Sequence, residues 1–587
     1  MKTLKIASII ALSLLFGCNS KSDKTAKNSE SKEEQKQPNI LLILADDMGY
    51  GDIGVYGSEI NTPNINKLAE EGTQFTNFHV SAACSPSRSM LMTGVDNHRA
   101  GIGNLVEIQA DNQFGQPGYE GFLNDDVVSV ATRLKDGGYH TYMVGKWHLG
   151  KTETKIPYAR GFEKSFALME SGADNWVEQP YMPLNKKVHY FEDDKQISLP
   201  TENYFSSNYY TDKMISYIDS SKEDDKPFFG YVAYQAVHYP HQAPKEFIDK
   251  YNGVYDKGWK ELRLNRLQKQ KELGIVSPEV TLNFENAATT VPAWKLSDWE
   301  NLSEEEQKFN ARRMQAYAGM ADNMDYNIGR IINHLKDIGE YENTVIIFLS
   351  DNGADPNQLP KNPAFKDWYK DNYTYSSMED YNGDYSQVGL KGSFSDYGPN
   401  WASASNTPNS YYKMFSTEGG VRVPFIAWYP KKIKAGKITQ EFAFIKDVVP
   451  TMLEVAGLED TGSTYKNKDV FPITGKSMWA SLTTESSKVH SAEETIGSEL
   501  AGSRAVFKGD YKLVYNPKTK GFGEWELYNI IKDPSEMHNL ISEMPEVAEE
   551  LKKAYEVYQT ENGVIPVPSD YDVLKQLVKN SERENSH

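Results

Sequence analysis

Asp46, Asp47, Asp351 and Asn352 offer hard oxygen donors, and Lys146, His148 and His238 offer groups that hold anions or move protons. Three carboxylates and an amide oxygen suit Ca²⁺ or Mg²⁺ rather than Zn²⁺. Histidines and lysines beside them can shuttle protons and stabilise an oxyanion. Cys84 adds a thiol, one of only two in 587 residues, at the start of Cys-Ser-Pro-Ser-Arg-Ser-Met-Leu-Met-Thr-Gly. Pro86 is tolerated in a first helical turn and Gly94 ends one, so Cys84 falls at a helix N-terminus. Free amides and the positive end of the dipole make that a place for an anion, or for a thiol of lowered pKa. Arg88, about one turn on, reaches the same face and can clamp an anion. Taken singly, each feature has a plainer reading. Asp-Asn-Gly is a turn signal, Asp46-Asp47 a capping loop, and Cys84 a small buried side chain.

Position joins these residues. Apolar runs of strand length occur at Ile40–Ala45, Tyr139–Val144, Phe228–Tyr234 and Thr344–Leu349. Each is followed at once by part of the set: Asp46-Asp47, Lys146 with His148, His238, and Asp351-Asn352. Helical patterns lie between the runs, which predicts an α/β fold: a large, mostly parallel sheet with helices on both faces. Such sheets bind ligands outside the carboxyl ends of their strands.

The motifs resemble those of the formylglycine-dependent sulfatases of the alkaline phosphatase superfamily. The matching residues are Cys84-Ser-Pro86-Ser87-Arg88 with Leu91 and Thr93-Gly94, and Asp46-Asp47 with Gly49. They continue with Gly145-Lys146-Trp147-His148-Leu149-Gly150, His238-x-Pro240, Asp351-Asn352-Gly353, and Lys413-MFST-Glu418-Gly-Gly-Val-Arg422-Val-Pro424. RGFEKSFALM, ARRMQAYAGMADNMDYNIGRI and YGPNWASASNTP resemble the bacterial arylsulfatase branch in particular. The resemblance implies that Cys84 is oxidised by a maturase to formylglycine (3-oxoalanine). It implies one Ca²⁺ bound by Asp46, Asp47, Asp351, Asn352 and the modified Cys84. Arg88 would orient the hydrated aldehyde, and Lys146 and Lys413 would bind sulfate oxygens. His238 would protonate the leaving alcohol, and His148 would take a proton from the second hydroxyl. Ser171 is a further candidate contact to sulfate. A hydrated aldehyde carries two hydroxyls on one carbon, so one can attack sulfur and loss of the other's proton can release sulfate.

The chain opens MKTLKIASIIALSLLFGC, with a basic start, an apolar run over Ile6–Phe16, and Cys18 closing a sequence that resembles a bacterial lipobox. The run is too short to span a bilayer. We therefore expect residues 1–18 to be a lipoprotein signal peptide with Cys18 acylated. Residues 19–37 hold no aromatic or branched aliphatic residue and read as a flexible polar tether. The expected location is the cell envelope, anchored to a membrane by the N-terminal lipid. With Cys18 lipidated, Cys84 has no disulfide partner, and an unpaired exported cysteine calls for a reason. A net charge of −19 from 63 basic and 82 acidic residues argues against nucleic acid as a partner.

The catalytic part is expected over 38–489. A C-terminal domain, 490–587, is expected as a small antiparallel sheet with a helix over EVAEELKKAYEVYQTEN, walling the cleft without supplying a catalytic group. Pro360–Tyr412, polar and rich in aromatics, reads as an inserted loop over the active-site edge where specificity would lie. The substrate expected is an aryl sulfate or a sulfated carbohydrate. The rivals are a phosphonate monoester or phosphodiester hydrolase of the same superfamily, a non-catalytic glycan-binding surface lipoprotein, and a two-zinc enzyme of the alkaline phosphatase kind. Phosphonate and phosphodiester hydrolases tend to carry other residues where Asp47 and Asn352 stand, and the zinc enzyme needs more histidine ligands than this set supplies.

Overall fold

The computed structural model describes residues 36–284, 291–484 and 487–585; the expected signal peptide, with Cys18, and all but the last two residues of the tether lie outside them. Eleven strands form the large sheet: β1 (Asn39–Ala45), β2 (Thr73–His79), β3 (His140–Lys146), β4 (Lys164–Leu168), β5 (Tyr190–Glu192), β6 (Lys195–Ile197), β7 (Phe228–Ala233), β8 (Thr344–Ser350), β9 (Arg422–Trp428), β10 (Lys437–Thr439) and β11 (Ala443–Phe444). Their order is β10-β2-β9-β8-β1-β7-β3-β4-β5-β6, with β11 also on β2. The centre, β8-β1-β7-β3-β4, is parallel throughout. β9 runs antiparallel to both β2 and β8. The sequence explains the centre. All seven residues of β1, NILLILA, are buried, as a strand covered by helices on both faces must be.

Helices flank this sheet. The longest, Glu304–Asp337, starts on a capping box in which Ser303 and Glu306 satisfy each other's backbone amides. Its three leading glutamates complement the dipole. The helix Cys84–Thr93 begins at the thiol and ends at Gly94, whose φ of 71° needs a residue without Cβ strain.

A short hairpin, β12 (Thr464–Tyr465) and β13 (Lys468–Asp469), precedes the C-terminal sheet of β14 (Thr495–Leu500), β15 (Ser503–Lys508), β16 (Tyr511–Tyr515) and β17 (Trp525–Asn529). That sheet is antiparallel throughout. The helix Pro545–Asn562 covers it, burying Ala548, Leu551 and Tyr555 against Val506, Leu513 and Leu527. A last helix, Val573–Asn585, follows.

Pro360–Tyr412 is not a free loop. It folds into short helices, including Lys366–Asn372 and Gly398–Ser405, and buries Tyr369, Tyr373, Phe394 and Trp401. The aromatics that suggested a binding surface are consumed in packing: Tyr369 and Tyr373 lie 4.5 and 5.2 Å from Phe394 between ring centres.

Candidate active site

Six segments converge at the carboxyl edge of the sheet. Asp46 and Asp47 follow β1, Lys146 ends β3, His238 follows β7, and Asp351 and Asn352 follow β8. Cys84 arrives from the helix after β2, and Lys413 from the loop before β9. Close backbone approach makes this convergence work. A Cβ on Gly353 would sit 1.8 Å from the Gly419 carbonyl oxygen, so only glycine lets the Asp351 turn meet the Lys413–Arg422 loop. That contact is sealed by Gly353 N–H to Gly420 O at 3.0 Å and Lys413 N–H to Ala354 O at 3.0 Å.

Ligand atoms of Asp46, Asp47, Cys84 and Asp351 all lie within 4.8 Å of one another, and all four residues are buried. Asn352 donates from Nδ2 to Asp47 Oδ1 at 2.6 Å, while its own Oδ1 is buried without a hydrogen-bond partner. Asp46 Oδ1 accepts no hydrogen bond either, its ion-pair contact being Arg88 Nη2 at 3.5 Å. Buried acceptors are normally satisfied. Two orphaned oxygens within an all-oxygen carboxylate and amide set therefore fit a hard divalent cation such as Ca²⁺.

Positive charge surrounds the set. Arg88, fully buried, places Nε and Nη2 each 2.8 Å from Asp351 Oδ2, with Nη1 donating to Lys146 O. Lys146 Nζ lies 2.6 Å from Asp46 Oδ2. Lys413 Nζ lies 2.8 and 2.9 Å from the two Asp47 oxygens and 3.1 Å from Asp355. Burial would raise the Asp47 carboxyl, but Lys413, His238 and Lys146 together hold it below the usual carboxylate range. Burial and the neighbouring Asp46 push Asp351 up to about 6. Burial also lifts the Cys84 thiol well above its ordinary value, outweighing Lys146 and Lys413. The lowered pKa that a helix N-terminus allows is thus not what this site imposes, and the thiol itself is a poor nucleophile here.

The two histidines are held differently. His238 shares a hydrogen bond between Nδ1 and the Tyr239 carbonyl, leaving Nε2, 3.6 Å from Asp47 Oδ2, toward the cluster. Burial, reinforced by Lys146 and Lys413, brings it down to about 3. His148 sits at φ 56° and bonds through Nε2 to Glu107 Oε1 at 3.0 Å. Its Nδ1 is buried and unpartnered, so the proton held toward Glu107 leaves Nδ1 as an acceptor. Burial lowers the His148 pKa against the pull of Glu107. Burial would raise the Glu107 carboxyl, but His148 beside it brings it down to about 2. Ser171 Oγ is 3.0 Å from the Tyr181 hydroxyl, on the wall of the same chamber as Cys84, His148, His238 and Lys413.

All the candidate residues inside the described chain therefore meet in one place. Glu107 and Asp355 escaped the sequence reading. Glu107 lies in a short 3₁₀ turn, Val106–Ile108, with no motif around it. Asp355 carried a faint signal, a second acid four residues after Asp351.

A carboxylate cluster of metal-binding type, flanked by two lysines and two histidines at the carboxyl edge of a parallel sheet, defines a hydrolase of an anionic ester. Comparison gives the family. The pattern described as Sulfatase matches residues 38–458, and that described as N-sulphoglucosamine sulphohydrolase, C-terminal, matches 409–561. An uncharacterized sulfatase of Schizosaccharomyces pombe is 41% identical over 547 residues, covering 92% of this chain and 96% of that one. An arylsulfatase of Klebsiella aerogenes is 38% identical over 451 residues, covering 76% of this chain and 92% of that one. The fold is that of Ps i-CgsB, solved in complex with k-i-k-neocarrahexaose: TM-score 0.63, 22% identity, covering 94% of this chain and 98% of that one. The chain belongs to the sulfatase family and is a sulfuric ester hydrolase.

Proposed function

We propose that this enzyme hydrolyses sulfate monoesters, aryl sulfates or sulfated carbohydrates, using a formylglycine made from Cys84 and one Ca²⁺ held by Asp46, Asp47, Asp351 and Asn352. The observation that carries the reading is the buried set of oxygen donors, with its orphaned Asn352 Oδ1, lying against Cys84, which in turn lines a chamber with His148, His238 and Lys413. The hydrated aldehyde would supply the nucleophile, and the cation would lower the cost of bringing an anionic ester to it.

The remaining steps belong to residues of the chain. Lys146 and Lys413 are positioned to neutralise sulfate oxygens. Arg88 fixes Asp351 and the edge of β3 by its fork of bonds. His238, next to Lys413, gives a proton from Nε2 to the leaving oxygen once a bound anionic ester has raised its pKa. Burial otherwise keeps the ring neutral, with its proton on Nδ1 toward the Tyr239 carbonyl. His148 Nδ1 takes one from the hydroxyl that must be deprotonated for sulfate to leave, and Glu107 steadies the imidazolium that results. We further propose that a maturase acts on Cys84 during export, and that acylation of Cys18 tethers the enzyme to the cell envelope.

Mass spectrometry of the peptide spanning Ser81–Arg88 tests the core of this. Active protein should carry the aldehyde or its hydrate in place of the thiol. Full activity from wholly unmodified cysteine overturns the reading. Metal analysis of the same sample should give Ca²⁺, and stoichiometric Zn²⁺ in its place would refute the ligand set.

A further inference from the structure

The chamber around Cys84 is a cavity of about 70 Å³, and part of its wall belongs to neither matched family segment. Those segments end at residues 458 and 561, whereas the helix Val573–Asn585 lies beyond both. Its Val573, Leu574 and Leu577 line the chamber, and positions i, i+1 and i+4 share one helical face. Leu105, Ile108, Met182, Trp294 and Leu359 add to the apolar lining. The Trp294 indole N–H is already used, donating to Asn357 Oδ1 at 3.1 Å. Among the polar side chains on the wall, Ser171 pairs with Tyr181, Glu107 Oε1 with His148 and Asp355 with Lys413, while Glu107 Oε2 and His148 Nδ1 have no hydrogen-bond partner.

The wall is fastened, not draped. Asn580 Nδ2 donates to the carbonyls of Glu107 and Gln109 at 3.1 and 3.2 Å, and the Tyr571 hydroxyl donates to Ile108 O at 2.6 Å. Lys579 and Arg583 both pair with Asp111. The helix thus grips the turn that presents Glu107 to His148.

A neighbouring cleft of about 760 Å³ shares Glu107 and His148 with the chamber but is not lined by Cys84, His238 or Lys413. The leaving oxygen must lie within reach of the group that protonates it. His238 lines only the apolar chamber, so the leaving group lies there and not in the wide cleft.

We propose that the helix Val573–Asn585 is the specificity wall of this active site, and that Val573, Leu574 and Leu577 select an apolar, ring-sized aryl leaving group over a sugar alcohol. The proposal rests on the sulfatase reading and narrows its substrate class. Against Val573, Leu574 and Leu577 a sugar's hydroxyls would find no side-chain partner, and each unpaired hydroxyl costs affinity. A ring would lose its water against leucine and tryptophan side chains.

Competition against turnover of 4-nitrophenyl sulfate tests it without requiring that the competitor be cleaved. 2-Phenylethyl sulfate and D-galactose 6-sulfate, both esters of primary alcohols, are compared with inorganic sulfate. The mature enzyme should bind the phenylethyl ester about ten-fold or more tightly than the galactose ester, the scale expected for burying one ring. Leu574→Asn and Leu577→Asn should each erase most of that preference while leaving inhibition by inorganic sulfate unchanged. Val573→Asn, at a half-buried position at the start of the helix, should do so more weakly and serves if either leucine variant fails to fold. Equal or better competition by galactose 6-sulfate overturns the proposal and leaves the sulfatase reading standing. So does an equal loss for both esters and for sulfate. No turnover of 4-nitrophenyl sulfate by protein carrying formylglycine overturns this proposal alone, because the sulfatase reading also admits sulfated carbohydrates; that reading falls only if the same protein cleaves sulfate esters of neither class.

Discussion

At the carboxyl edge of the large sheet, Asp46, Asp47 and Asp351 share Arg88, Lys146 and Lys413. Between the large sheet and the C-terminal one, Glu418 and Glu536 share His79, Arg422 and Lys512. Both clusters are buried, and both mix carboxylates with cations. They differ in saturation. Glu418 Oε1 takes Lys512 at 2.8 Å, and its Oε2 takes His79 at 3.0 Å and Arg422 at 3.3 Å. Glu536 accepts from Lys512 at 2.8 Å and from the Glu418 amide at 2.8 Å. Every carboxylate oxygen of that cluster has a donor. The first cluster keeps orphaned oxygens and opens on a chamber. A closed cluster holds elements together, whereas an open one keeps capacity for a cation and an anionic ester. Asp351→Ala and Lys512→Met should therefore break different things. Asp351→Ala should abolish calcium binding and lower turnover per folded molecule by about 10³-fold or more, and, because it leaves the buried Arg88 without its partner, it should also lose some stability. Lys512→Met leaves two carboxylates short of their cation, and should cost about 3–5 kcal/mol of stability. Turnover per folded molecule should change far less. Calcium titration, denaturant unfolding and active-site-normalised rates separate the outcomes. A fully stable Lys512→Met, or a calcium-replete Asp351→Ala, would collapse the distinction.

The open cluster can be divided further by proton transfer, which contributes about 10²–10⁴-fold where it operates. His238→Ala should lose more as the leaving alcohol becomes more basic, because a nitrophenol departs without help and an aliphatic alcohol does not. On the proposed roles, His148→Ala should bring the series to a nearly common kcat, since the step it slows comes after the alcohol has gone. Glu107→Gln should copy His148→Ala in weaker form, as a positioning residue would. Rates for a set of aryl sulfates of graded phenol pKa decide this. Equal slopes for the two histidine variants would show that their roles are misassigned.

The unequal legibility of these regions has a physical cause. β1, β3, β7 and β8 are continuous apolar runs, because both faces of a parallel sheet are covered, so their ends could be found and the polar residues just beyond them stood out. Cys84, Arg88 and the Asp351 turn also sit in short segments whose glycines and proline fix local geometry. Glu107 has no such marker, because its partner His148 is 41 residues away and nothing nearby announces the meeting. The helix Val573–Asn585 is amphipathic, but a stripe of Val573, Leu574, Leu577 and Val578 does not say what it covers. Pro360–Tyr412 misled for the converse reason. Composition shows that aromatics are present and not whether they point outward, and here Tyr369, Phe394 and Trp401 are buried.

A third junction sharpens the contrast through pH. His98 is buried, with Nδ1 2.9 Å from Asp96 Oδ1 and Nε2 3.0 Å from Glu499 Oε2 on β14, so it ties the chain after the Cys84 helix to the C-terminal sheet. Burial alone would depress its pKa, but hydrogen bonds and charge from Asp96 and Glu499 raise it from 6.5 to about 9. A histidine whose folded pKa exceeds its unfolded value stabilises the fold fully below pH 6.5 and ceases to do so as pH rises through about 9. The difference corresponds to about 3 kcal/mol. Other groups titrate in the same window, so the contribution has to be read as a difference from His98→Gln. Denaturant unfolding at a series of pH values from 6 to 10 should show the wild type losing about 3 kcal/mol relative to the variant across that window. If His98 belongs with the closed clusters, the leaving-group dependence of turnover should be the same in both proteins at every pH where both are folded. A stability difference that stays flat from pH 6 to 10 would mean that His98 is not held charged between its two carboxylates. A changed leaving-group slope would mean that the C-terminal sheet reaches into the chemistry through this contact.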